Sequence, residues 1–226
     1  MKVLIACEES QMVCKAFRRH GHEAYSCDLV EPSGGCPEWH IQDDALKVMR
    51  REPWDLIIAH PPCTYLSNVA NRMYSLDRWG DDAWRRLANR WRAAAFFMDF
   101  ILASCPKVAV ENPVGVMNTW YRKPDQIIDP YMFAAGPEDI ENYQRKRTCL
   151  WLKGLPLLKA TNSLPPPEPT LVRKDQEGRV HRLYYTEYIG FYGRGSVKHK
   201  DRASIRSKTF PGIAEAMAVQ WGGDVS

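Results

Sequence analysis

The feature that most constrains this chain is an apolar run that stops at two prolines and a cysteine. Residues 56–59 are four apolar residues in a row, which is typical of a strand covered on both faces, as in a parallel sheet. Pro61 and Pro62 cannot donate to a strand ladder, so the strand has to end there. Ligands of open α/β sheets bind beyond the carboxyl ends of the strands. The pattern therefore predicts that Cys63 is presented to a binding cleft, although a thiol merely buried after a strand would have the same spacing.

The start of the chain has the plan of a strand, a turn and a helix. Residues 2–7 are predicted as the first strand, and apolar residues at helical spacing predict a helix over 12–20 that Ser10 caps. The turn between them lacks the glycine fingerprint of dinucleotide-binding turns, so it is not expected to cradle a phosphate. The second strand, 23–27, is followed by Asp28, which is placed either to bind the hydroxyl pair of a ribose or to cap a loop.

Acidic residues also follow the third and fifth predicted strands. Asp44 follows a short third strand, and it could either cap the helix predicted over 45–51 or bind the amine edge of a purine. The fifth strand, 108–110, runs directly into Glu111. Neighbouring parallel strands end at the same edge of a sheet, so Glu111 is expected beside Cys63. A carboxyl group next to a thiol can donate or accept a proton while the thiolate attacks.

The middle of the chain contains the longest predicted helix, over residues 81–103. Apolar residues at helical spacing are predicted to face the core rather than to form a stacking platform, and they are Trp84, Leu87, Trp91, Ala94, Met98 and Ile101. A sixth strand is predicted over 129–134 and a seventh over 148–152. Arg145 and Arg147 stand at the start of the seventh strand, where alternation places both on the same side.

The last third of the chain is different in composition. Residues 155–170 are rich in proline and predict a stiff linker. Residues 171–208 carry ten lysines and arginines against four acidic residues, whereas the whole chain has a net charge of only +4. Basic residues interleaved with aromatic residues and glycines suit either a nucleic-acid-facing loop or hairpin or a solvated loop; the residues are Tyr184, Tyr185, Tyr188, Tyr192, Gly190, Gly193 and Gly195. A final helix over 210–221 is predicted to pack on the body.

Composition excludes several classes of protein. Seven cysteines, an odd number without a Cys-x-x-Cys pair, favour reduced thiols over a disulfide framework. Cys27, Cys36 and His40 match no usual zinc spacing, so no metal is expected. No apolar run approaches membrane-spanning length, and the N-terminal run is too short for a signal peptide. We therefore expect a cytoplasmic protein with one large domain, or one domain with a small appendage.

Taken in order, these blocks resemble the DNA cytosine-5 methyltransferases. Three motifs carry the resemblance: Pro61-Pro62-Cys63, Glu111-Asn112-Pro113 and Gln144-Arg145-Lys146-Arg147. Pro-Pro-Cys alone is a weak signal, but the three motifs in this order are specific together. The resemblance spans most of residues 1–154 and, faintly, 208–222, and the compact size is similar to phage-borne members. The Phe-x-Gly-x-Gly first turn of that family is replaced here by Ala6-Cys7-Glu8-Glu9-Ser10.

The resemblance implies a fold and a division of the chain. The fold would be α/β, a Rossmann-like class I methyltransferase with a mostly parallel seven-stranded sheet and a small basic C-terminal insertion. Residues 1–154 would form the catalytic core, 155–207 a short target-recognition region, and 208–226 a C-terminal helix packed back on the core.

The resemblance also implies an activity, the methylation of cytosine C5 in double-stranded DNA by S-adenosylmethionine. The cytosine would be flipped out of the duplex, and, if the protein is phage-encoded, the reaction would take place in the host cytoplasm. Cys63 would add to C6 as a thiolate, Glu111 would bind N3 and the exocyclic amine, and Arg147, with Arg145, would hold O2. The implied cofactor contacts are Asp28 to the ribose, Asp44 to the adenine, Glu8 or Ser10 to the methionine end, and Pro61 beside them.

Three other readings of the sequence stay open. An amino-methyltransferase acting on adenine or on cytosine N4 would use a proline pair followed by an aromatic residue, and Cys63 and Glu111 argue against it. A non-catalytic nucleic-acid or regulatory module with a degenerate methyltransferase fold would account for the altered first turn. The short recognition region would also suit a methyltransferase acting on RNA or on free nucleotides.

Overall fold

The computed structural model describes residues 1–175, 177–184 and 208–223, and a seven-stranded sheet forms its centre. The strands are β1 (Lys2–Ala6), β2 (Glu23–Asp28), β3 (His40–Gln42), β4 (Leu56–Ala59), β5 (Val108–Pro113), β6 (Gln126–Ile128) and β7 (Thr148–Lys153). Their order in the sheet is β3-β2-β1-β4-β5-β7-β6. Only β7 runs against its neighbours β5 and β6. The predicted α/β class and the mostly parallel seven-stranded sheet are therefore confirmed.

The strand order reverses between β1 and β4, and this reversal opens a crevice at the carboxyl edge of the sheet. From β1 the chain adds β2 on one side, while β4 pairs with β1 on the other. Ala6 is level with Ala59, and Ala59 is level with Val110. The residues that follow these three positions therefore meet at one point, which is where ligands of doubly wound sheets bind.

Helices cover both faces of the sheet. They are α1 (Met12–Arg19), α2 (Ala45–Arg51), α3 (Leu76–Trp79), α4 (Asp81–Ile101), α5 (Met117–Trp120) and α6 (Pro211–Gly222). On one face, α1 and α6 pack on the sheet through side chains such as Phe17 and Met217. On the other face, α2 and α4 pack through side chains such as Val48 and Phe97. Both faces of the central strands are therefore dry, which explains why their sequences are continuously apolar.

The prediction of a sixth strand over 129–134 is wrong. The strand lies just before it, at Gln126–Ile128, and Pro130–Phe133 form a 3₁₀ turn. Pro130 has no N–H and a φ fixed near the helical value, so it begins a helical turn more readily than it continues a ladder.

The predicted core stripe of α4 is wrong at Trp84 and Trp91, whereas Ala94 is buried as predicted and Met98 and Ile101 pack partly buried against the core. Trp84 and Trp91 are 58% and 60% exposed, while the buried positions are Ala83, Arg90, Ala94, Phe97 and Phe100. Trp91 stacks on Trp120 with 4.3 Å between the ring centroids. The sequence pattern misses the buried position of Arg90 because hydrophobic periodicity assigns a charged side chain to the solvent-facing side of a helix.

Arg90 is buried because the loop before α4 satisfies its guanidinium. Its Nε donates to the carbonyl of Tyr65 at 2.8 Å, and its Nη2 donates to Asn71 Oδ1 at 2.9 Å. The guanidinium also lies 3.5 Å from the ring centroid of Tyr74. Arginines in this setting combine hydrogen bonding with stacking, and here the arrangement fixes residues 65–74 on the helix.

The proline-rich segment is extended but stays on the body. Leu158 is buried in the core, and Gln126 exchanges hydrogen bonds with its backbone N–H and carbonyl at 2.9 and 2.7 Å. Trp221 of α6 donates to the carbonyl of Pro156 at 2.9 Å. The segment is therefore a strap between the sheet and the last helix, and the expectation of a linker outside the core is wrong at Leu158.

Part of the basic segment forms a hairpin, β8 (Leu171–Lys174) with β9 (Val180–Leu183). The other residues singled out there lie outside the described residues, and they are Tyr185, Tyr188, Tyr192, Gly190, Gly193 and Gly195. Across the described ranges, no helix is both long and apolar enough to cross a membrane.

Candidate functional site

The turn after β4 presents Cys63 at the carboxyl edge of the sheet. Cys63 is exposed, and its carbonyl accepts hydrogen bonds from the N–H groups of Leu66 and Ser67 at 3.0 and 2.9 Å. Ser67 in turn bridges to Gly115 after β5. A Cβ on Gly115 would lie 2.1 Å from the carbonyl oxygen of Leu66, so glycine is required for this close approach. The loop that carries the thiol is therefore held against the neighbouring strand.

A side-chain hydrogen bond also joins the turn after β4 to the end of β5. The side-chain amide of Asn112 donates to the carbonyl of Pro61 at 2.7 Å. Pro61 is buried, so water has little access to that carbonyl. Because Asn112 follows Glu111 directly, this bond sets the position of Glu111 relative to the Pro-Pro-Cys turn.

We expect Asn112→Asp to destabilise the protein by about 1–3 kcal/mol, since it leaves the Pro61 carbonyl without a donor and adds a buried charge. Urea unfolding measures the difference. Asn68→Asp is the matched control, because Asn68 is exposed and uses its side-chain oxygen as an acceptor, which aspartate retains. Equal stability of the two variants would show that the tie between Asn112 and Pro61 does not hold the turn.

Glu111 lies in β5, next to the strand β4 that leads to Cys63, and it contacts His60. His60 Nδ1 is 3.4 Å from Glu111 Oε2, and the side chains are 9% and 23% exposed. Burial acts to raise the pKa of Glu111, but the hydrogen bond from His60 and the charges of His60 and Lys146 outweigh it and hold this pKa below its ordinary value. Glu111 is therefore ionised in the free protein at neutral pH.

The basic residues before β7 act on two different carboxylates. Lys146 acts on Glu111, whereas Arg145 lies 4.0 Å from the carboxylate of Asp129. The pKa of Asp129 is raised by burial, and both Arg145 and Arg147 oppose that rise. Both arginines thus act on Asp129, and Lys146 is the cation that acts on Glu111.

Glu8, not Ser10, caps the first helix. Its carboxylate accepts from the N–H groups of Val13 at 2.7 Å and Cys14 at 3.2 Å, and Ser10 makes no capping bond to the helix. Glu8 is only 4% exposed, and burial raises its pKa, against the opposing charge of His60 and the two N–H bonds. An internal carboxylate therefore occupies the anion-binding end of α1.

The first turn is built without glycine and carries backbone strain. Cys7 and Gln11 have positive φ angles of 60° and 59°, which side chains other than glycine rarely adopt. Gln11 is held there by two hydrogen bonds to the backbone of Cys36, at 2.7 and 3.0 Å. Gly34 packs against Gln11 so closely that a Cβ would lie 2.5 Å from it. Contacts with residues 34–36 thus hold the first turn in a backbone conformation that is usually adopted by glycine.

The two predicted acids at the strand ends have different surroundings. Asp28 ends β2, half-buried, and accepts from the N–H of Val30 at 3.3 Å. Asp44 is the N-cap of α2, where its Oδ1 accepts from Leu46 at 2.8 Å and Lys47 at 3.4 Å. Asp44 therefore caps a helix. This is one of the two roles that the sequence left open, and the other is contact with the amine edge of a purine. Burial raises the pKa of the neighbouring Cys7 thiol, and the charges of both acids add to this.

Sequence reasoning missed His60 and Lys146. His60 precedes the Pro-Pro pair, and its place beside Glu111 follows from the register of β4 with β5, which the structure supplies. Lys146 lies between Arg145 and Arg147, and the sequence pattern of the two arginines gives it no signal of its own. Among the described residues, no group of three or more histidine, cysteine, aspartate or glutamate side chains is gathered to hold a metal ion.

Comparisons with known proteins identify no family for this chain. No protein-family model matches the chain, and no curated protein matches it. One similar solved structure is that of a proposed DNA modification methyltransferase encoded within an E. coli prophage, with a TM-score of 0.44 and 12% identity over 91% of this chain and 69% of that one. At that level of similarity, a function has to be argued from the residues of this chain.

Proposed function

We propose that this protein transfers the methyl group of S-adenosylmethionine to C5 of cytosine in double-stranded DNA, with Cys63 as the attacking thiolate. The observation that carries the proposal is that Cys63 and Glu111 lie at the carboxyl ends of two neighbouring parallel strands. The exposed thiol of Cys63 lies on the turn after β4. Glu111 follows Val110, which is level with Ala59 of β4, and its carboxylate contacts His60, the residue after Ala59. The tie from Asn112 to Pro61 holds the two turns together.

The thiolate solves the main chemical difficulty of this reaction. C5 of cytosine is a poor nucleophile, and addition of the Cys63 sulfur to C6 converts C5 into an enamine-like carbon. The bond from sulfur to C6 uses the thiolate electron pair, and the ring takes up the displaced pair as N3 accepts a proton. Glu111 holds N3 and the exocyclic amine during this step, where charge develops in the ring.

The second half of the reaction restores the aromatic ring. C5 takes the methyl group from the sulfonium of the cofactor, which supplies an electrophilic carbon when bound. Solvent water takes the proton from C5, the C–H electron pair re-forms the C5–C6 double bond as the Cys63 thiolate departs with the S–C6 pair, and N3 gives back its proton. Arg147, with Arg145, holds O2 of the ring throughout in this proposal.

The groups at the sheet edge suit this cofactor. Ribose hydroxyls, an adenine amine and a methionine ammonium are all donors, and the edge offers acceptors in Asp28 and in the buried Oδ1 of Asn112, which has no hydrogen-bond partner among the described residues. Glu8 already fills the N-terminus of α1, which disfavours a phosphate-bearing cofactor and permits one without phosphates. Asp44, Ser10 and Pro61 complete the proposed binding residues.

DNA is the proposed partner because of charge and access. The hairpin of β8 and β9 carries Arg173, Lys174, Arg179 and Arg182 around its strands, and such residues position a protein on phosphates. A cytosine within a duplex cannot reach Cys63 unless it leaves the stack, so base flipping is part of the proposal.

Trapping on DNA that contains 5-fluorocytosine tests the proposal. Fluorine at C5 cannot leave as a proton does, so the thiolate stays bonded to C6 after methyl transfer. We expect a complex that survives denaturation, with the peptide containing Cys63 attached to the methylated base, and formed only when S-adenosylmethionine is present. Methyl transfer without an adduct would point to an amino-methyltransferase. An adduct on RNA or on nucleotides alone would change the substrate, and absence of cofactor binding would favour a non-catalytic module.

A further inference from the structure

An open pocket lies at the edge of the sheet opposite Cys63, and the proposed reaction does not use it. Its volume is about 560 Å³, within the range of small-molecule sites. The residues that line it are Lys15, Arg18, Arg19, Gly21, His22 and Trp39. Lysine and arginine supply three positive charges to this lining, and no acidic residue belongs to it. The pocket therefore favours an anionic ligand.

The topology separates this pocket from the candidate site. Helix α1 begins beyond the carboxyl end of β1, so its second half returns towards the amino edge of the sheet. His22 leads directly into β2, and Trp39 leads directly into β3. Cys63 follows the carboxyl end of β4, and a strand of five residues spans about 16 Å. The pocket and Cys63 are therefore about the length of a strand apart.

Arg18 is held in a fixed orientation at this pocket. Its Nε donates to the carbonyl of Ala24 at 2.7 Å. The carbon of its guanidinium lies 4.8 Å from the ring centroid of Tyr25 and 5.2 Å from that of Trp39. Its Nη1 and Nη2 form no hydrogen bond within the described ranges. Because the two rings and the Nε bond already order this side chain, little conformational entropy is lost when its free donors bind a ligand.

Lys15 adds a second positive charge, one helical turn before Arg18 and on the same side of α1. Its Nζ donates to the carbonyl of Gly34, which leaves two of its three donors. Arg19 pairs with Glu215 at 2.8 Å, whereas neither Lys15 nor Arg18 forms an ion pair in the part of the chain that the structure describes. Two cations of the lining are thus available to a negatively charged group.

We propose that this pocket binds the phosphate group of a small phosphorylated molecule, with Nη1 and Nη2 of Arg18 as a bidentate donor pair and Nζ of Lys15 as the second cation. A planar guanidinium matches two phosphate oxygens, whereas an ammonium acts as a point charge. A pocket of this volume takes a molecule larger than inorganic phosphate. The inference is independent of the proposed methyl transfer.

The backbone of DNA carries the same chemical group, but the position of the pocket favours a small molecule. A duplex with a base at Cys63 lies against the carboxyl edge of the sheet. Lys15 and Arg18 line a pocket at the amino edge, about one strand length away.

Titration with inorganic phosphate in a chloride buffer tests the site, with the NMR signal of the Trp39 indole N–H as the readout and Trp39→Phe to identify that signal. We expect a saturable shift. Arg18→Gln should weaken binding about tenfold or more, because hydrogen bonds between charged groups are lost. Arg50→Gln is the matched control, since Arg50 is an exposed arginine of α2 that pairs with Asp99, and it should bind phosphate as the unmodified protein does.

Titrations with ribose 5-phosphate and with duplex DNA distinguish the sources of the phosphate. Ribose 5-phosphate should shift the same signal, and the shift should weaken in Arg18→Gln. A shift with inorganic phosphate but not with ribose 5-phosphate would mean an adventitious ion only. A shift with duplex DNA alone would overturn the assignment to a small molecule.

Absence of a saturable shift with all three probes, or equal binding by Arg18→Gln and the unmodified protein, overturns the site. If Arg18→Gln does not fold, Lys15→Gln should still weaken phosphate binding by about threefold, the scale of one exposed charge, and unchanged binding would then overturn the site. Failure to form the 5-fluorocytosine adduct would remove the proposed methyl transfer and leave this inference intact.

Discussion

Cys63→Ser is expected to lower methyl transfer to DNA by about 10³-fold or more while S-adenosylmethionine still binds. The scale is that of removing the nucleophile from an enzyme that uses covalent catalysis. A serine hydroxyl is far less ionised than a thiol at neutral pH, so it cannot add to C6. Transfer of labelled methyl measures the loss, and calorimetric titration of the cofactor measures binding.

Cys105→Ser is the matched control for this experiment. The thiol of Cys105 donates to the carbonyls of Trp54 and Lys107 at 3.1 and 3.2 Å, a role that a serine hydroxyl can take over. Cys105 lies before β5, at the opposite edge of the sheet from Cys63. We expect normal activity from Cys105→Ser, and substantial activity from Cys63→Ser would contradict the assignment of the nucleophile.

Glu111→Gln is expected to lower kcat by about 10²- to 10³-fold with little change in DNA affinity, because one group that stabilises the developing charge on the ring is lost. An amide can still hydrogen-bond N3, but it cannot carry a proton to it. Steady-state kinetics separate the two effects, since an interaction made mainly in the transition state changes kcat rather than binding.

The same variant should change how stability depends on pH. The pKa of Glu111 in the folded protein lies below the ordinary value of 4.5, so its ionised form contributes stability above that pH. This contribution is lost as pH falls through the lowered pKa. Glu111→Gln should therefore be less stable than the unmodified protein at pH 7, and the gap should narrow below pH 4.5.

Glu52→Gln is the control for both readouts. Glu52 pairs with Lys2 on the surface, where its side chain is 40% exposed. Exposed ion pairs contribute little, so both activity and the pH dependence of unfolding should be nearly unchanged. A Glu111→Gln variant with normal kcat, or with a stability gap that stays constant between pH 7 and pH 4, would contradict the role given to this carboxylate.

The central strands β1 and β4 could be predicted from the sequence because residues 3–6 and 56–59 are continuously apolar. The predicted helix 45–51 matches α2 in both bounds, and the first helix ends at Arg19, where the C-cap residue His20 is followed by Gly21 with a φ of 78°. These signals are local, since they depend on side-chain size, backbone freedom and the absence of an N–H.

The errors arise where distant residues decide the outcome. Arg90 belongs to the buried face of α4 because Tyr65, Asn71 and Tyr74 satisfy its guanidinium. Hydrophobic periodicity along the helix does not reveal these contacts. Ser10 was a reasonable cap for α1, yet Glu8 reaches the same N–H groups from the end of β1. In both cases a buried charged group takes a place that the sequence pattern assigns to an apolar or small polar residue.

The sequence predicts which residues of the candidate site lie at the ends of strands, but it does not predict which of them contact each other. Cys63 and Glu111 lie at one edge, which follows from parallel strands alone. The contact of His60 with Glu111 and the approach of Lys146 require the register of β4 with β5 and of β5 with β7. The sequence leaves that register open by one or more residues, and a shift of one residue moves a side chain to the other face.

Transfer of labelled methyl from S-adenosylmethionine to double-stranded DNA, with the product base identified by mass, tests the central claim most directly. The account predicts 5-methylcytosine as the labelled base. Label on N4 of cytosine or N6 of adenine would contradict the mechanism through Cys63, and a protein that binds the cofactor but labels neither DNA, RNA nor nucleotides would contradict the proposed activity.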